Sequence, residues 1–279
     1  MDAITTNTLT LGYGDEDIIK ELDLHIPKGE ITVFIGSNGC GKSTLLKSLA
    51  RLLKPKEGSI VLNGHDIAHT STKKIAKDLA ILPQSPVAPE GLTVLQLVKQ
   101  GRYPYQNWFK QWTEEDEEAV NYAIRVTGTE ELVERKVDSL SGGQRQRAWI
   151  AMTLAQDTDT ILLDEPTTYL DMTHQIEILD LLHDLNEQEN RTIIMVLHDL
   201  NLACRYADHI VAIHDKKVFQ QGDPDTIITP QLIHSVFGLQ CQVTCDPICG
   251  SPLCIPYSKG RHMKGVNKDE TTVNKQPIK

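Results

Sequence analysis

The segment Ile31-Thr-Val-Phe-Ile35 is apolar almost throughout, and it runs directly into Gly36-Ser-Asn-Gly-Cys-Gly-Lys42-Ser43. A strand with no polar face belongs inside a sheet that is covered on both sides. After the glycines, Leu45, Leu46, Leu49, Leu52 and Leu53 recur at helical spacing, so a helix is predicted to start there. The alternation returns downstream. TILLD (160–164), TIIMVLH (192–198) and HIVAIHD read as strands, with helices predicted over about 173–189 and 200–207. GSIVLNG (58–64), DLAILPQ (78–84) and KVFQQG complete the predicted strands. Buried strands alternating with helices imply an α/β fold built on a parallel sheet.

Two stretches depart from this rhythm. The first 30 residues, with LTLGYGDEDIIKELDLHIPKGE, alternate and turn like antiparallel strands. Residues 90–155 are mostly helical in pattern; Thr113 and Asp116 form a capping box ahead of an acidic first turn that complements the helix dipole. The expected organisation is a core of 1–88 and 156–225, which includes the antiparallel β subdomain, and an inserted helical subdomain at 89–155. Residues 226–258 form a C-terminal extension, and the polar segment 259–279 is expected to be disordered.

The chemistry starts at Gly36–Ser43, which fits G-x-x-x-x-G-K-[ST] between a predicted strand and a predicted helix. Glycines let backbone N–H groups turn inward around phosphate oxygens, and the helix N-terminus adds positive potential. Lys42 suits the β- and γ-phosphates of a nucleoside triphosphate, and the Ser43 hydroxyl suits Mg²⁺. Asp164 and Glu165 end the apolar strand ILL: a metal-binding acid followed by a general base, or an acidic pair capping the next helix. His198 and Gln84 also lie at strand C-termini, the edge where open parallel sheets bind ligands. At that edge His198 suits phosphate sensing, and the Gln84 amide suits Mg²⁺ or the attacking water. Tyr13, between two glycines, is either an adenine-stacking aromatic or a plain loop residue. Leu140-Ser141-Gly142-Gly143-Gln144 is either a second anion-binding nest or an ordinary helix N-cap.

Taken in order, these residues resemble the ATP-binding subunit of an ABC transporter, over the chain to about residue 240. The resemblance rests on Tyr13 as A-loop aromatic, the Walker A segment Gly36-Ser37-Asn38-Gly39-Cys40-Gly41-Lys42-Ser43-Thr44, and Gln84 in the Q-loop. It continues with the signature Ser141-Gly142-Gly143-Gln144, Walker B at Asp164 and Glu165, the D-loop Tyr169-Leu170-Asp171, and the switch His198. It implies a P-loop NTPase fold, ATP and Mg²⁺ as ligands, and a head-to-tail homodimer. In that dimer each ATP lies between Walker A of one chain and Ser141 and Gly143 of the other. The segments Gly101-Arg-Tyr-Pro-Tyr105, Glu165-Pro-Thr-Thr-Tyr-Leu-Asp171-Met-Thr-His-Gln175 and Cys254-Ile-Pro256 are similar to the ATPases of iron(III)-siderophore importers, with ferric-citrate and vitamin B12 importers as neighbours. This implies two transmembrane permease subunits as partners, an extracytoplasmic binding protein reached through them, and a place on the cytoplasmic face of the membrane.

Bulk properties narrow the alternatives. A net charge of −10 argues against nucleic acid as a partner. With no coiled-coil insert and no second ATPase unit visible, a soluble ATPase of DNA repair or translation fits less well than a transport motor. The exporter reading is weakened by the absence of fused apolar spans, since no run approaches about 18 apolar residues. No basic, apolar leader is seen at the start. Cys241, Cys245, Cys249 and Cys254 are spaced C-x₃-C-x₃-C-x₄-C, which departs from the C-x₂-C pairs of common metal sites. Cys40, at a helix N-terminus beside Lys42, is placed for attack on thiol reagents.

Overall fold

A computed structural model describes residues 1–106 and 112–257. The tail at 259–279, expected to be disordered, lies outside the described residues. The strands are β1 (Asp2–Tyr13), β2 (Glu16–Pro27), β3 (Ile31–Ile35), β4 (Glu57–Leu62), β5 (His65–Asp66), β6 (Leu79–Leu82), β7 (Thr160–Leu163), β8 (Thr192–Val196), β9 (His209–His214), β10 (Lys217–Gly222), β11 (Cys241–Cys245) and β12 (Pro252–Pro256). The α-helices are α1 (Lys42–Leu49), α2 (Thr72–Asp78), α3 (Val94–Gln100), α4 (Glu114–Val126), α5 (Gly142–Ala155), α6 (Met172–Glu189), α7 (Leu200–Tyr206), α8 (Pro224–Ile227) and α9 (Pro230–Phe237).

The central sheet has the order β10-β9-β3-β8-β7-β6. All its pairings are parallel except that of β10 with β9. Every residue of β3, β7 and β8 is buried, as their apolar sequences require. Alternate side chains feed two cores. Phe34, Leu162, Ile194 and Val211 pack with Leu45, Leu46 and Leu49 of α1 and with the antiparallel sheet β2-β1-β4-β5. Val33, Ile35, Ile161, Leu163 and Met195 pack on the other face with α3, α4, α5 and α6. Truncating Phe34 to Ala would cost about 3–5 kcal/mol, because a fully enclosed ring leaves a cavity.

Between β6 and β7 the described regular elements are helical. The Thr113 capping box is present: its hydroxyl accepts from Asp116 N, and the Asp116 carboxylate accepts from Thr113 N. Asp116 does more than meet a helix dipole. It is fully buried and bonded to Arg102 at 2.9 Å, so Arg102 ties the Gly101–Tyr105 segment to α4. Up to Tyr257 the C-terminal segment folds as α9 and the β11–β12 hairpin. Asn201 of α7 brackets Cys254, accepting from its N at 2.8 Å and donating to its carbonyl at 3.3 Å. Arg205 binds Asp246 at 2.6 Å in the β11–β12 turn. Cys241 and Cys254 are buried while Cys245 and Cys249 are exposed, so the hairpin divides the four thiols. No helix among the described residues is long and apolar enough to cross a membrane.

Candidate functional site

Because β3, β6, β7 and β8 run parallel, their C-terminal ends lie at one edge. β3 delivers Gly36, β7 delivers Asp164, β8 leads to His198, and β6 leads through Pro83 to Gln84. Four segments up to 162 residues apart in the chain therefore meet, which is what a parallel sheet does for any ligand site.

The Gly36–Ser43 loop needs its glycines. Gly36 has φ 151°, and a Cβ there would overlap the Ile213 carbonyl of β9 and come within 2.7 Å of Cys40 Sγ. Gly41, at φ 107°, is the N-cap of α1 and offers no side-chain acceptor to the first turn. That turn also lacks acidic residues, so its N–H groups and positive potential are left for an anion. Lys42 is buried at the start of α1. Its Nζ donates to the carbonyls of Gly36 at 2.8 Å and Ser37 at 3.0 Å, folding the loop around its own cation. The β1–β2 hairpin abuts this loop through Ile18 and Ile19, which a Cβ on Gly41 would touch at 3.0–3.3 Å. Tyr13 is exposed at the end of that hairpin.

Ser43 Oγ donates to Asp164 Oδ1 at 2.7 Å. Asp164 is 2% exposed. Burial pushes its carboxyl up despite the Ser43 hydrogen bond, and the neighbouring Glu165 adds to the rise, while Lys42 and Lys47 oppose it. A buried carboxylate with a hydroxyl beside it has the donor chemistry that suits a hard cation.

Glu165 gathers the remaining groups. Its Oε2 accepts from Gln84 Nε2 at 2.7 Å and from Thr168 Oγ1 at 3.0 Å, and its Oε1 lies 2.8 Å from His198 Nε2. The turn after β7 holds Glu165 at φ 55°, a left-handed conformation that costs a non-glycine residue about 1–3 kcal/mol. Its neighbours hold it there. Thr168 is a partner that sequence reading missed; a hydroxyl three residues after Glu165, in the Pro-Thr-Thr turn, is the available signal.

Ser141 to Gln144 and Asp171 do not join this cluster within one chain. Ser141 Oγ accepts from Gln144 N at 3.3 Å, and Gln144 Oε1 accepts from Ser141 N at 3.2 Å, a closed capping box. Asp171 caps α6 and bonds to His174. Within the chain, then, the Ser141–Gln144 turn acts as an N-cap. Among the described residues no group of three or more His, Cys, Asp or Glu side chains is arranged to hold a metal ion.

Residues 19–168 match the family described as ABC transporter. The probable siderophore transport system ATP-binding protein YusV of Bacillus subtilis (strain 168) is 71% identical over 261 residues, 94% of this chain and 95% of that protein. The petrobactin import ATP-binding protein FpuD of Bacillus anthracis is 67% identical, covering 94% of this chain and 96% of its own. Among solved structures, the dimeric post-hydrolysis state of the ATP-binding cassette MJ0796 bound to ADP and Pi matches with a TM-score of 0.70 at 28% identity, over 79% of this chain and 98% of that one. The loop, the buried acid and the shared strand edge have the same explanation as these likenesses: the chain belongs to the ABC transporter family, as an ATP-binding subunit that hydrolyses ATP.

Proposed function

We propose that this chain is the motor of an importer that carries iron(III)-siderophore complexes across the cytoplasmic membrane. The observation that carries the mechanism is the convergence of Gln84 and His198 on Glu165, beside the Ser43–Asp164 pair. Siderophore as cargo is supported by the names of the relatives at 71% and 67% identity.

In this reading Gly36 to Thr44 cradle the triphosphate, with Lys42 exchanging loop carbonyls for phosphate oxygens. Tyr13 stacks on adenine. Ser43, Asp164 and Gln84 hold Mg²⁺; the buried carboxylate and adjacent hydroxyl fit a hard cation. When bound, that ion neutralises charge on the phosphates. Glu165 accepts the proton of the attacking water, and His198, bonded to the same carboxylate, aligns that base and senses the γ-phosphate. Gln84 links the base to the segment that follows β6.

Two chains face head to tail, so that Ser141, Gly142, Gly143, Gln144 and Asp171 complete the partner's site; the dimeric cassette at TM-score 0.70 supports this. ATP then favours closure because only the closed dimer contacts it from both sides. The motion passes to two transmembrane permease subunits and, through them, to an extracytoplasmic siderophore-binding protein. The chain thus works at the cytoplasmic face of the membrane. We take 1–88 with 156–225 as the ATP-binding core, 89–155 as the helical subdomain and 226–258 as the extension.

Glu165→Gln tests the mechanism: hydrolysis should fall about 10²–10⁴-fold while ATP binding persists. Hydrolysis at the wild-type rate would remove Glu165 from the base role. Uptake of labelled ferric siderophores by a deletion strain, with and without the restored gene, tests the cargo. Uptake that does not depend on the gene for any siderophore would reject the import reading.

A further inference from the structure

Two helix N-termini from different parts of the fold lie side by side. α5 starts at its N-cap Ser141, in the stretch between β6 and β7, and α6 starts at its N-cap Asp171, after β7. Gly143 has no room for a side chain. A Cβ there would overlap His174 Cδ2 and come within 2.9 Å of Cγ and Nε2 of the same ring. Leu170 packs beside it, its Cδ2 being 3.7 Å from where a Cβ on Gly142 would stand. The His174 ring is anchored in turn: Nδ1 lies 2.8 Å from Asp171 Oδ1, which also accepts from His174 N at 3.0 Å. One turn further along both helices, Arg147 binds Glu177 at 2.6 Å. The seam therefore has two rungs. The second is a partly exposed ion pair and holds little by itself. The first is a steric contact between an imidazole ring and bare backbone, and it sets how closely the helices approach.

We propose that His174 is a positioning residue that locks the Ser141–Gln144 turn and Asp171 into one unit, so that both meet the partner chain together. This rests on the head-to-tail dimer reading above. His174 is suited to the task in two separable ways. The flat ring fills the space over Gly143, and Nδ1 orients Asp171. Asparagine would keep the hydrogen bond and lose the ring, whereas phenylalanine would keep the ring and lose the bond.

The test uses the full chain carrying Glu165→Gln, with ATP-driven dimerisation followed by light scattering. Fluorescent ATP binding at low protein concentration reads the loop of the single chain. His174→Ala should raise the ATP concentration for half-dimerisation by about tenfold, within the usual range for coupling between sites, with ATP affinity of the monomer and melting temperature unchanged. His174→Asn and His174→Phe should each recover part of the loss. His174→Ala dimerising at the parent ATP concentration would overturn the proposal. So would a loss matched by weaker ATP binding or lower melting temperature, or the failure of both His174→Asn and His174→Phe to recover any of it. A parent that fails to dimerise refutes the dimer reading and the proposal with it; a parent that dimerises beside an unaffected His174→Ala refutes the proposal alone.

Discussion

The charge pair inside the helical region invites a quantitative experiment. Arg102 is 4% exposed. Its Nε donates to Asp116 Oδ1 at 2.9 Å, and Nη1 donates to the Ala155 carbonyl at 3.0 Å. Its guanidinium lies 3.8 Å from the centre of the Tyr105 ring. Asp116 has neutral donors as well, from Gln106 at 2.9 Å and Thr113 N at 3.2 Å. Arg102→Met keeps the apolar stem but strands a buried carboxylate, at a cost of about 3–5 kcal/mol. Against a total stability of about 5–15 kcal/mol that is a large share. At about 2–4 °C per kcal/mol, the melting temperature should fall by about 6–20 °C. Fluorescence of Trp149, buried in α5, is a direct readout. The double variant Arg102→Met with Asp116→Leu removes both charges and should melt above the single variant.

The pH dependence supplies an independent sign. Burial acts to raise the Asp116 carboxyl, but the donors from Arg102, Thr113 and Gln106 outweigh it and hold the group below the ordinary carboxylate range. The stability it contributes is therefore full above that range and is lost as pH falls through the lower folded value. In Arg102→Met the burial effect is left without its main opponent. The folded carboxyl then rises, and the variant should regain stability as pH falls into the carboxylate range. A melting temperature within about 2 °C of wild type, or a double variant as unstable as the single, would refute the reasoning.

Gly36→Ala should abolish ATP binding measured with a fluorescent analogue, because the new Cβ meets the Ile213 carbonyl and Cys40 Sγ; unaltered affinity would mean that the loop can shift off β9. Asp164 has a carboxyl raised by burial, so the nucleotide-free, metal-free protein should lose stability as pH rises from the ordinary carboxylate range through that raised value, and Asp164→Asn should flatten the profile of melting temperature against pH. Alkylation of Cys40, whose Sγ lies 3.8 Å from Lys42 Nζ, should inactivate the ATPase, with ATP protecting it; full activity after complete modification would separate this thiol from the nucleotide.

Much of the site was legible because its residues sit in short, local patterns. A run such as ITVFI can only be an inner strand, and GSNGCGKS after it can only be a turn with bare backbone opening a helix. The Thr113 capping box was readable for the same reason, since both halves of it lie within three residues. The C-terminal extension was not legible. The β11–β12 hairpin holds its place through Asn201 and Arg205, earlier in the chain on α7, and no local periodicity reports such contacts.

The sequence by itself determined the parallel sheet, the phosphate loop and the acids and amides at the strand ends, since these follow from hydrophobic period and from residue type at fixed spacing. Only the tertiary structure decided that Glu165 is the shared partner of Gln84, Thr168 and His198, and that Ser43 pairs with Asp164. It alone turned Asp116 inward onto Arg102 and set the His174 ring against Gly143. Those contacts join residues brought together by strand order and helix packing. Spacing along the chain carries no record of them, because a hydrogen bond depends on where two atoms meet in space.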